Sequence, residues 1–83
     1  MSMGVARVSV WDEVDEFLTS TPTPEQILAF RPSEAAQMRL RTLLEANREG
    51  TLTPDEQAEL DQHLALDMFM SRLKAKALMK RRQ

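Results

Sequence analysis

The sequence predicts an all-α fold: two short helices followed by an antiparallel helical hairpin whose C-terminal helix is long. Three observations carry this. Apolar residues recur at the spacing of helices and never alternate as strands do. Thr23-Pro24-Glu25-Gln26 and Thr53-Pro54-Asp55-Glu56 each set a capping hydroxyl before proline at the first helical position, with Gln or Glu placed to reach back to the cap. Pro22, Pro32 and Gly50 mark the breaks between helices.

Residues 1–8 carry no periodic signal and read as a flexible N-terminal arm, leaving 9–83 as a single helical domain. The first helix is expected to start at Ser9. Val10, Trp11, Val14, Phe17 and Leu18 form its apolar stripe, and Asp12 and Glu13 favour the positive end of its dipole. It stops at Thr19-Ser20-Thr21-Pro22, because Pro22 lacks an amide hydrogen and biases Thr21 away from α geometry. A short helix follows Thr23 through about Ala29, with Ile27, Leu28 and Phe30 as its apolar residues. Ser33 caps a third helix with an inward stripe of Ala36, Leu40, Leu43 and Leu44. Gly50 closes it as a left-handed residue, and a connection of about four residues leads into the last helix, from Thr53 to about Arg82.

That last helix carries more apolar surface than one small core covers. At about 100° per residue, Ala58, Leu66, Phe69, Met70, Leu73 and Ala77 fall on one side. Leu60, Leu64, Ala65, Met68, Ala75, Leu78 and Met79 fall roughly opposite. A helix apolar on both sides is normally buried, and the rest of the chain is too short to wrap roughly 40 Å of helix. The second face therefore asks for a partner. Leu66, Phe69, Met70 and Leu73 are the expected anchors, with Arg72, Lys74 and Lys76 as a charged rim.

The chain of 83 residues is one domain at most, and a single core of this size supplies about 3–5 kcal/mol. It has no cysteine, so disulfides and thiolate metal sites are excluded and oligomerisation is the remaining support; a homodimer is expected. No apolar run suits a membrane span and no basic-then-apolar leader is readable, so a cytoplasmic protein with no membrane role is expected. The net charge of −2 hides a strong polarity: residues 1–30 hold Arg7 against Asp12, Glu13, Asp15, Glu16 and Glu25, a net of −4, whereas residues 70–83 hold six basic residues and no acid, a net of +6.

No catalytic constellation or cofactor motif is legible. Glu45, Asn47, Glu49, Thr51, Thr53 and Glu56 surround Gly50 at calcium-loop spacing. Glutamate in place of the compact first aspartate, Arg48 among the ligands and the absence of a second such loop favour a helix C-cap followed by a capping box instead. His63 is the only histidine, and without cysteine it assembles no usual zinc set. It reads as a partly exposed neighbour of Asp67, one turn on. Asp12 and Glu16 read as solvated charge on an acidic face. The basic tail offers the alternative function: Arg72, Lys76 and Lys80, with Arg81 and Arg82, form a row that suits phosphates, although no aromatic interleaves it for base stacking.

The run Thr23-Pro24-Glu25-Gln26-Ile27-Leu28-Ala29-Phe30-Arg31-Pro32-Ser33-Glu34-Ala35 resembles the TPEQ(I/V)(I/L)AF-(R/K)PSEA segment of a family of small all-helical bacterial proteins, widespread in cyanobacteria. Glu49-Gly50-Thr51-Leu52-Thr53-Pro54-Asp55-Glu56 and Glu59-Leu60-Asp61 look like its EGxLTPEE and ELDxY elements, and Leu66-Asp67-Met68-Phe69-Met70 and Leu73-Lys74-Ala75-Lys76-Ala77 like its LEHLM and LAKARA elements. The resemblance spans about Trp11 to Ala77. His63 stands at the family's tyrosine, and Asp67-Met68 replaces an acidic-plus-histidine pair, which argues against metal chemistry. Members of the family are often encoded beside an HNH-nuclease-like protein, so the resemblance implies an antitoxin-like or accessory partner. The sequence thus leads to a non-enzymatic interaction module that inhibits or stabilises a protein partner, with a small dimeric nucleic-acid-binding regulator as the alternative.

Overall fold

Four helices form where the caps and breakers place them in the computed structural model, which describes residues 10–82. They are α1 (Val10–Thr19), α2 (Pro24–Ala29), α3 (Glu34–Glu49) and α4 (Pro54–Arg81), and the described residues contain no strand. The expected N-terminal arm at 1–8 and helix start at Ser9 lie outside the described residues.

Each boundary has a local cause. Both expected capping boxes are complete: the Thr23 hydroxyl accepts from the Gln26 amide at 3.2 Å while the Gln26 side chain accepts from the Thr23 amide at 2.8 Å. Thr53 and Glu56 make the same reciprocal pair at 3.1 and 2.9 Å. Ser33 caps α3 by accepting from the Ala36 amide at 3.1 Å. Gly50 ends α3 at φ 75°, in the left-handed region, and the Thr51 amide donates back to Ala46 at 2.9 Å. Thr21 closes α1 with φ 52°, a left-handed conformation uncommon for a β-branched residue.

α4 is the spine. At 28 residues it runs about 42 Å, and α1, α2 and α3 all pack against it. The core centres on Val10, Val14, Leu66 and Met70, with Trp11, Leu18, Phe30, Ala36, Phe69 and Leu73 packed around them. Leu43 of α3 and Leu60 of α4 are the buried apolar residues of the hairpin half. Long-range ties fix the layers. Glu13 accepts from the Ser33 amide and hydroxyl at 2.8 and 2.7 Å, pinning α1 to the start of α3. Arg39 and Glu59 form a two-pronged ion pair, both contacts 2.8 Å, across α3 and α4. The Phe17 and Phe30 rings meet at 4.7 Å. The molecule measures 47 × 33 × 18 Å, and its short dimension holds two helix layers at the usual 8–10 Å interaxial spacing. Among the described residues, no helix is long and apolar enough to cross a membrane.

Candidate functional site

Two faces of α4 have opposite fates. Leu60, His63, Leu66, Met70 and Ala77 are buried, and Phe69, Leu73 and Lys74 are half-buried beside them. Leu66 and Met70, expected as partner anchors, instead close the core against Val10 and Val14 of α1. Phe69 and Leu73 belong to the same packing, and the Phe69 ring meets Trp11 at 5.6 Å and 54°. The physical reason is that α1 presents its own apolar stripe to this face, so the chain satisfies it without help. Lys74, expected on a charged rim, is half-buried and donates from Nζ to the Phe30 carbonyl at 3.0 Å, satisfying an acceptor at the end of α2. Of the expected rim, Arg72 and Lys76 remain exposed.

The opposite face is open. Leu64 is 47%, Met68 74%, Leu78 38% and Met79 66% exposed, and Ala65 and Ala75 are exposed with them. A shallow depression lined by Ala65, Met68, Phe69 and Arg72 runs along its edge. Leu60 departs from the expected division: grouped with this outer face by angle, it is 2% exposed. The buried stripe turns as it passes from α3 to α1 and α2, since His63 and Leu60 lie about 60° and about 120° round the helix from Leu66. The same turn buries His63, expected to be partly exposed. No hydrogen bond joins His63 to Asp67 among the described residues, and Asp67 itself is exposed.

The calcium-loop residues have other roles. Glu45, Asn47 and Glu49 remain within α3, Glu45 pairs with Arg48, and the Glu56 carboxylate holds the Thr53 amide. Among the described residues, no group of three or more His, Asp or Glu is placed to hold a metal ion. Arg39 is shifted: the hydrogen bond to Glu59 raises its pKa above the already high arginine value, burial opposes that, and attraction to Glu59 and Glu56 adds to it. The guanidinium therefore stays charged, and its share of stability is lost only above the ordinary arginine range.

Charge divides α4 sharply. Residues 54–67 hold Asp55, Glu56, Glu59, Asp61 and Asp67 with no Lys or Arg, a net of −5; residues 68–82 hold Arg72, Lys74, Lys76, Lys80, Arg81 and Arg82 with no acid, a net of +6. Arg72, Lys76, Lys80, Arg81 and Arg82 are exposed and make no ion pair among the described residues. The structure thus gathers the basic row that sequence singled out, beside the second of the two apolar faces that sequence found on the last helix. The signal that finds the outer face is its regular step of four and three residues through Leu64, Met68, Ser71, Ala75 and Leu78. No protein-family model, curated protein or solved structure matches the chain.

Proposed function

We propose that this chain is a small cytoplasmic, non-enzymatic interaction module that works by presenting the outer face of α4 to another protein chain. One observation carries the reading: after Leu66 and Met70 have closed the core, Leu64, Met68, Leu78 and Met79 still point outward from the same helix. Contiguous exposed apolar surface on a small domain marks an interaction site, and methionine suits such surfaces because it repacks easily. The proposed anchors are therefore Leu64, Met68, Leu78 and Met79, with Arg72 and Lys76 as rim. The resemblance to the small bacterial family supports an antitoxin-like or accessory role toward an HNH-nuclease-like protein.

The exposed row Arg72, Lys76 and Lys80 favours one second reading, a regulator that lies along nucleic-acid phosphates. Paired variants separate the two. Met68→Asp with Leu78→Asp should abolish copurification of the protein partner while circular dichroism shows the helices intact, because a buried unpaired carboxylate is costly. Lys80 and Arg81, which lie off the outer apolar row, changed together to Gln should leave that partner bound. If the glutamine variant loses function in cells and the aspartate variant keeps it, the phosphate-binding reading replaces this one.

A further inference from the structure

We infer that the outer face of α4 pairs with the same face of a second copy, the two helices running antiparallel; this rests on the interaction-module reading and names its occupant. The first support is the spacing. Leu64, Met68, Ser71, Ala75 and Leu78 step by four, three, four and three residues, the 3.5-residue repeat with which two helices interlock side chains along a seam. The whole row is exposed in the single chain. Ser71 and Ala75 are small, so an antiparallel partner can set Met68 against Ser71 and Leu64 against Ala75 of the other copy. Large side chains then meet small ones along the seam, which lets the helices close.

Charge selects both the partner and the direction. Residues 54–67 carry −5 and residues 68–82 carry +6, so antiparallel pairing lays each acidic half along a basic half twice over. Parallel pairing would set like charges against like. The same step extends the row to Asp61 at one end and Arg82 at the other, both exposed. In the antiparallel register that sets Met68 against Ser71, the two residues lie near opposite ends of the seam, Asp61 of one copy one helical turn, about 6 Å along the axis, from Arg82 of the other, a gap the long arginine side chain spans. Among the described residues of a single chain, Asp61 accepts only from Gln57, at 3.1 Å. With α1, α2 and α3 packed on the inner side of α4, the second copy would complete the burial that the chain leaves open.

The test is the mass and its response to charge. Sedimentation equilibrium at tens of micromolar should give twice the 9.5 kDa chain mass. Met68→Asp should weaken the dimer on the order of a hundredfold, since two carboxylates enter each interface, with helicity retained. Asp61→Arg and Arg82→Asp should each weaken it, and the two together should restore it, because every antiparallel contact regains an opposite pair. A monomeric wild-type chain overturns the inference, as does a dimer indifferent to Met68→Asp or a double exchange that fails to rescue. So does a chain that dimerises only after residues 1–9 are removed, since its own N-terminal segment then occupies the face. If the chain is monomeric and Met68→Asp nevertheless abolishes binding of a different protein, the interaction-module reading stands and only the second copy is wrong.

Discussion

Leu64 and Leu66 stand two residues apart on α4, and truncating each to alanine should give opposite results. Leu66 is 4% exposed and packs with Val10, Val14 and Met70. Its loss removes the transfer energy of the side chain and leaves a cavity, together about 2–5 kcal/mol. A chain this size has about 3–5 kcal/mol of core stabilisation to lose, so Leu66→Ala should leave the domain close to unfolded near room temperature. Leu64 is 47% exposed, and alanine is the best helix former, so Leu64→Ala should change the stability of the single chain by less than about 1 kcal/mol. Trp11 is the only tryptophan and its ring lies 5.6 Å from Phe69, so its fluorescence reports the packing of α1 on α4 directly. Urea unfolding followed at Trp11, at protein concentrations low enough to exclude association, is the assay. Comparable losses from both truncations would mean that α4 is not oriented with one face in the core and the other in solvent.

Three further predictions concern the joints. Gly50→Ala should cost about 1 kcal/mol, because the glycine has φ 75° and an added Cβ would meet nothing within 4 Å; the penalty is conformational, and Gly50→Asn should lose less in the same urea titration. Thr21→Gly should stabilise by about 0.5–1 kcal/mol, the relief of a left-handed β-branched residue less the greater freedom of glycine in the unfolded chain; a loss of stability on calorimetry would show that the threonine is not strained. Glu13→Ala should cost about 1 kcal/mol through its two hydrogen bonds to Ser33, and hydrogen exchange should speed first at the start of α3.

Elements bounded by their own residues were legible in the sequence. The capping boxes at Thr23 and Thr53, the Ser33 cap and the left-handed Gly50 all stand where local chemistry placed them. Faces were harder. Sequence showed that α4 is apolar on two sides, but the choice between them depends on where α1 lands, and that is a long-range fact. Val10 and Val14 settle on Leu66 and Met70, so the expected partner face became the core. Lys74 looked like rim charge because its acceptor, the Phe30 carbonyl, is far away in sequence. Leu60 and His63 were misplaced for another reason: a straight helical wheel assumes one fixed inner direction, whereas the inner direction of α4 turns between α3 and the earlier helices.

The pairing of α4 with its copy can be read from two small substitutions. The chain has no cysteine, so Ser71→Cys and Ala75→Cys each introduce one thiol on the proposed seam. In the antiparallel register the two copies of residue 71 stand about 4.5 Å apart along the axis, whereas those of residue 75 stand about 16 Å apart at 1.5 Å per residue. A disulfide requires Cα atoms within about 7 Å. Mild oxidation should therefore link Ser71→Cys chains rapidly into covalent dimers and leave Ala75→Cys chains unlinked. Linkage of both would mean that the helices run parallel, and linkage of neither, at concentrations where the chain is otherwise expected to pair, would mean that a second copy does not cover this face.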